Sequence, residues 1–226
     1  MDSSDTSTNG FVHIIRHGEA LHNVDRASSC RDPPLTEAGH NATQTIQFSL
    51  NPDLILISPM TRTIQTAMNI FPFLRAQSPF PTSVQIWPDL RETHDAMCNK
   101  GHSRAEMQAK FPQLDFAECH EEWDYAPHSI EDATERAERV RARLKALSGS
   151  CKNIAVVTHR GLISFLVKGR RFNVCEHRSY RFATEDEVND EKVRLGLNCD
   201  TLQEQDFGPT VLVFVRNCTT HEEINT

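Results

Sequence analysis

Apolar residues follow two rhythms along this chain. Short apolar runs at 11–15, 54–57, 84–87, 154–157 and 211–215 have the length and Val/Ile content of strands covered on both faces. Between them the spacing becomes helical. Ala38, Ala42 and Ile46 follow a Thr36 N-cap, and Ile64, Ala67, Met68 and Phe71 fall on one side of a helix over 61–74. Ala133, Ala137, Val140, Leu144 and Leu147 run between a Ser129 cap and Gly149, and Leu162, Ile163, Leu166 and Val167 begin a further helix. Ser103 and Glu106 have the spacing of a capping box for one more short helix. Strands alternating with helices predict a three-layer α/β/α sandwich around a largely parallel sheet.

The intervening stretches are polar. Residues 1–10 read as a mobile lead-in, 19–34 as a loop closed by Pro33 and Pro34, and 217–226 as a tail. Residues 93–123 carry few apolar side chains but hold His94, His102, His120, Lys100 and Arg104, the composition of an inserted lid or specificity segment. Residues 169–209 read as polar and irregular. With no repeat, low-complexity tract or linker, 11–216 is expected to form a single domain.

Composition narrows the partners. A chain of 226 residues with 38% hydrophobic content can bury a real core, and a net charge of -7 argues against a general nucleic-acid binder. The many Arg and Glu of the helix over 133–147 read as a solvated face. No apolar run reaches membrane-spanning length and the first ten residues are polar, so a soluble, cytoplasmic protein is expected. Seven cysteines, odd in number and without a Cys-x-x-Cys pair, read as reduced thiols. His13, His17 and His22 lack the rest of a ligand set, so no metal site is expected.

Charge clusters where the strands end. Arg16 and His17 follow the first run, Ser58 leads to Arg62 after the second, Arg91 and Glu92 follow the third, and His159 and Arg160 the fourth. Carboxyl ends of parallel strands converge on one side of a sheet, so these groups can share one pocket of two imidazoles, up to four guanidiniums and a carboxylate. Guanidiniums of this density suit a phosphate or carboxylate. Arg62 in a first helical turn is locally unfavourable and calls for an anion. Gly18 is expected to supply the backbone freedom with which the chain leaves the first strand.

These residues resemble the histidine phosphatase superfamily, in its phosphoglycerate mutase-like branch. The likeness runs in order through Arg16-His17-Gly18-Glu19 with Asn23, then Leu35-Thr36-Glu37-Ala38-Gly39, then Ser58-Pro59 with Arg62, Gln65, Thr66 and Ala67. It continues through Leu90-Arg91-Glu92 to Thr158-His159-Arg160-Gly161. Cys98-Asn99-Lys100-Gly101, Phe111-Pro112, Trp123 and Cys175-Glu176 with Arg178-Ser179-Tyr180 are similar to fungal and plant mutase-like proteins.

The resemblance implies a phosphatase that takes a small phosphomonoester and needs neither metal nor cofactor. His17 is the implied nucleophile, its second ring nitrogen donating to a backbone carbonyl. Arg16, Arg62 and His159 are the implied ligands of the phosphoryl oxygens, and Glu92 the general acid and base. Asn23, Arg91, Arg160 and Lys100 are candidates for further substrate contacts. Asn99 stands where many relatives carry an acid, and Arg160 where a smaller residue is usual. Three alternatives stay open: a mutase acting on a sugar phosphate or glycerate, a non-catalytic interaction module on the same fold, and a pocket repurposed for a phosphate-free substrate.

Overall fold

The computed structural model describes residues 10–25, 29–48, 51–124 and 129–216. The lead-in at 1–9 and the tail at 217–226 lie outside the described residues. The elements in order are β1 (Phe11–Arg16), α1 (Leu21–Val24), α2 (Glu37–Gln44), β2 (Leu54–Ile57), α3 (Thr61–Ile70), β3 (Ser83–Ile86), α4 (Arg104–Lys110) and α5 (Ile130–Leu147). There follow β4 (Asn153–Thr158), α6 (Arg160–Leu166), β5 (His177–Phe182), α7 (Glu185–Asn189), α8 (Glu191–Arg194), β6 (Leu195–Leu197), β7 (Glu204–Asp206) and β8 (Leu212–Val215).

Six strands form the central sheet in the order β3-β2-β4-β1-β5-β8, and β5 alone runs against its neighbours. Successive side chains of a strand point to opposite faces, so the apolar runs feed two cores. Val12, Ile14, Leu54, Leu56, Ile154 and Val156 meet Ala133, Ala137, Val140 and Leu144 of α5 and the apolar side of α6. Ile15, Ile55, Ile57, Ala155 and Val157 meet Ile64 and Ala67 of α3. The sheet is therefore sandwiched, as the patterning predicts.

Four local expectations need correction. In α2 the buried pair is Gly39 and Thr43, while Ala38 and Ala42 face solvent, because a Cβ on Gly39 would lie 2.0 Å from the Glu19 carbonyl oxygen and only glycine lets the helix approach so closely. Helix α3 stops at Ile70, where Pro72 turns the chain into a single 3₁₀ turn. The segment 93–123 is not merely polar: Met107, Phe111, Leu114, Phe116, Cys119 and Trp123 complete the second core. Each such side chain contributes roughly 1.5–3 kcal/mol on burial. Finally, 169–209 contains β5, whose inward residues Tyr180 and Phe182 alternate with polar ones along a strand paired to β1.

The charged face of α5 is also less solvated than its composition suggests. Arg136 and Arg141 are fully buried. Arg136 donates through NH1 to the carbonyls of Asp89 (3.0 Å) and Arg91 (2.6 Å) and through NH2 to that of Glu92 (3.3 Å). Arg141 donates to the Phe165 carbonyl (2.6 Å) and to Glu138 Oε2 (2.7 Å). Three carbonyls of the turn after β3 thus depend on one guanidinium. Arg136→Ala should lower unfolding free energy in urea by about 3 kcal/mol, because those carbonyls lose their donor in a dry site. Arg139→Ala, at a side chain 54% exposed, should cost about 0.5 kcal/mol or less by the same measurement.

Candidate active site

The pairing of β1 with β4 sets Arg16 opposite Thr158, so the residues that follow, His17 and His159, leave the sheet side by side. The His17 amide donates to the Thr158 carbonyl at 3.0 Å, and the two rings lie 5.2 Å apart between centroids, inclined by 58°. His17 Nδ1 sits 2.7 Å from the Gly18 carbonyl oxygen, which can only accept. Nδ1 therefore carries the proton and Nε2 the free lone pair. Burial, followed by the nearby charges of Arg62 and Arg16, pushes the pKa of His17 well below the ordinary histidine value. His159 is displaced in the same direction by burial and by Arg62; its Nε2 lies 2.8 Å from Ser58 Oγ and its Nδ1 has no hydrogen-bond partner.

Gly18 serves the site by proximity, not by unusual backbone: it lies outside the left-handed region, which Gly169 alone occupies among the described glycines. A Cβ on Gly18 would lie 2.5 Å from Thr43 Cγ2, and its amide donates to Thr66 Oγ1 at 3.0 Å. This draws the turn after β1 against α2 and α3.

Two guanidiniums stand beside the imidazoles. Arg16 donates through NH1 to the Phe172 carbonyl (2.8 Å) and leaves its Nε unpaired; burial, then repulsion from Arg160, lowers its pKa to about 10, so it stays charged at neutral pH. Arg62 is fully buried in the first turn of α3. It donates through NH1 to the Cys98 carbonyl and through NH2 to Asn99 Oδ1, both at 2.9 Å, with Asp32 at 4.0 Å and its Nε unpaired. Asn99 in turn donates to the His94 carbonyl at 2.9 Å. The Asn99 amide therefore aims Arg62. Asp32 accepts from the Thr61 amide (2.9 Å) and hydroxyl (2.6 Å), capping α3 from a distant loop, and burial raises its pKa against the opposing pull of Arg62.

Glu92 is fixed by amides. Its Oε1 accepts from the amides of Thr93 (2.8 Å) and Leu162 (3.1 Å), and its Oε2 from that of Gly161 (3.2 Å), at the start of α6. A Cβ on residue 161 would sit 2.2 Å from Glu92 Oε1, so the glycine of the Thr-His-Arg-Gly stretch is the carboxylate's seat.

A cleft of about 430 Å³ opens over these groups, with Arg16, His17, Asn23, Glu92 and Arg160 in its wall. His22, His94, Cys98, Asn99 and Arg171 also line it, and none of them was singled out as a contact from the sequence. His159 and Arg62 lie behind that surface, fully buried. Asn23 accepts from the Ala20 amide at 3.0 Å and lies 3.2 Å from His22.

Two candidates fall elsewhere. Arg91 is outside the cleft, its NH1 3.9 Å from Asp89 and its NH2 3.9 Å from Asp132. The backbone at 91 is extended, so Arg91 and Glu92 project to opposite sides, and the carboxylate takes the cleft. Lys100 pairs with Asp95 at 2.8 Å outside the cleft for a like reason, since its neighbour Asn99 is the one turned inward to Arg62. His13 is occupied by Ser179 (2.8 Å) and Asn153 (3.2 Å), and no group of three or more potential metal ligands occurs among the described residues.

The neutral imidazoles carry a consequence for stability. Burial lowers the pKa of His13, His17, His159, His177 and His22, the last to about 3. Below pH 6.5 the unfolded chain takes up protons that these folded rings refuse, so stability is present above that pH and lost as pH falls. His94, raised by its hydrogen bond to Asp200, is the single opposing case among the described histidines whose pKa is displaced. Urea unfolding should therefore show a loss between pH 7 and pH 5.5, with roughly 2 kcal/mol arising from His17 and His159. A flat or rising profile would contradict neutral burial of the pair.

Residues 12–180 match the family model described as the histidine phosphatase superfamily, branch 1. A Schizosaccharomyces pombe protein named "probable phosphatase" is 27% identical over 202 residues, covering 79% of this chain and 93% of its own. The adenosylcobalamin/alpha-ribazole phosphatase of Escherichia coli is 32% identical over 162 residues, covering 68% and 75%. The crystal structure of the alpha-ribazole phosphatase from Shigella flexneri shares the fold, with a TM-score of 0.53 at 22% identity over 77% of this chain and 91% of that one. The match of the family model across most of its length establishes that this chain belongs to the histidine phosphatase superfamily.

Proposed function

We propose that this protein is a phosphatase that hydrolyses a small phosphomonoester through a phosphohistidine on His17 Nε2. The observation that carries the reading is the pairing of a free Nε2 lone pair with three buried nitrogens that lack any protein partner: His159 Nδ1, Arg16 Nε and Arg62 Nε. An unsatisfied buried donor costs about 1–3 kcal/mol; a bound phosphoryl group would relieve the two guanidinium nitrogens, and also His159 Nδ1 when Ser58 donates to Nε2 and leaves the proton on Nδ1. The relatives named as phosphatases support the same reading.

In the first step Nε2 of His17 forms a bond to phosphorus while the bond to the leaving oxygen breaks, and Glu92 gives that oxygen its proton. Arg16, Arg62 and His159 hold the charge that spreads over the equatorial oxygens. In the second step Glu92 takes a proton from water, the water oxygen attacks phosphorus, and the P–N bond breaks to return neutral His17. The Gly18 carbonyl keeps Nδ1 protonated throughout. The cleft is open to solvent, so water can reach a phosphohistidine formed there, as hydrolysis requires.

His17→Ala should reduce turnover of p-nitrophenyl phosphate by on the order of a thousandfold or more while the protein still unfolds cooperatively. Retained turnover in that variant would remove the mechanism. Glu92→Gln should slow alkyl phosphates by roughly a hundredfold but aryl phosphates by about tenfold or less, since a phenolate leaves without a proton. Equal losses on the two substrate types would deny Glu92 the role of acid.

A further inference from the structure

We infer that Asp200, in the turn between β6 and β7, gathers a second cationic wall at the mouth of the cleft, which selects phosphomonoesters whose leaving group bears another anionic group. This rests on the phosphatase reading and specifies its substrate class.

The Asp200 side chain is only 3% exposed, yet it meets three cleft residues from three separate segments. Its Oδ2 lies 3.0 Å from Nε2 of His94, which follows β3. Its Oδ1 lies 3.4 Å from Nε of Arg160 at the start of α6, and it also pairs with NH2 of Arg171 in the loop before β5. The turn that presents it is itself fixed. Asn198 Oδ1 accepts from the amides of Asp200 (2.9 Å) and Thr201 (3.0 Å), Asn198 Nδ2 donates to Gln205 (2.8 Å), and Gln205 donates to the Phe165 carbonyl of α6 (2.9 Å).

Charge does not balance at this wall. Two permanent guanidiniums face one carboxylate, and the same carboxylate raises the pKa of His94 and so favours its cationic form. Arg160 turns Nε toward Asp200 at ion-pair distance without a hydrogen bond, which leaves the terminal nitrogens of its fork directed away from that carboxylate and available to a ligand. Arg160 and Arg171 repel each other and Arg16 across the cleft; Asp200 holds Arg160 and Arg171 together while an excess of positive charge stays on the wall. The phosphoryl site already has its own ligands in Arg16, Arg62 and His159. The outer wall is therefore in place for the part of the substrate that departs.

The test compares three phosphates of one chain length: 3-hydroxypropyl phosphate, 3-phosphooxypropanoate and propane-1,3-diyl bisphosphate, with p-nitrophenyl phosphate as the reference for phosphatase activity. The wild-type protein should prefer at least one of the two compounds with a second anionic group over the hydroxypropyl ester by about tenfold in kcat/KM, mainly through KM. Which of the two is favoured tells a carboxylate from a second phosphate. Asp200→Asn should cut that preference by about fivefold or more, with a larger change in KM than in kcat. Arg171→Gln, at a side chain 53% exposed, should cut it too without burdening the fold. Hydrolysis of p-nitrophenyl phosphate with no preference among the three esters, or equal losses on all three in both variants, would overturn this inference alone. Failure to hydrolyse any of the four would strike the phosphatase reading itself.

Discussion

The parallel pairing of β1 with β4 is the constraint from which the site follows. One register, Arg16 opposite Thr158, decides that two histidines separated by more than a hundred residues emerge from adjacent strands with their rings in contact range. A slip of one residue would turn each imidazole to the other face of the sheet. The register is secured by the two cores, since the alternating residues of β1 and β4 are buried on both sides. Packing energy that has nothing to do with phosphate thus fixes the geometry that the proposed chemistry uses.

Burial does more than place these groups. It keeps His17 and His159 neutral, and it denies water to the unpaired nitrogens of Arg16 and Arg62. Such an arrangement is costly for the empty protein and becomes favourable when an anion arrives, which is how preorganised electrostatic sites act on charge that develops during reaction. The cost is contained by a supporting layer. Asn99 and the Cys98 carbonyl aim Arg62, Asp32 caps its helix, and Arg136 holds the turn that carries Glu92.

The inner and outer halves of the cleft are built differently. The inner half rests on strand ends and helix starts that lie within the residues matched by the family model. The outer half adds Arg160 at the start of α6, Arg171 before β5, the segment after β3 and the β6–β7 turn, and only that last turn lies beyond the residues matched by the family model. On the proposed reading, reaction type belongs to the first half and choice of substrate to the second.

Much of this was legible in the amino-acid sequence. The apolar runs and helical spacings determined the sandwich, the caps at Thr36, Ser103 and Ser129, and the strand ends that deliver Arg16, His17, Arg62, Glu92 and His159, because period and capping are local properties of the chain. Strand β5 escaped because two inward aromatics among arginines make a weak alternating signal, and its pairing partner is far away in sequence. Only the tertiary structure decided that Arg91 and Lys100 turn away while Asn99 turns in, that Arg136 is buried beneath the site, and that Asp200 collects His94, Arg160 and Arg171. Which side of the backbone faces a cleft, and which distant charge answers another, depends on how separate segments pack against each other, and no local pattern in the chain encodes that.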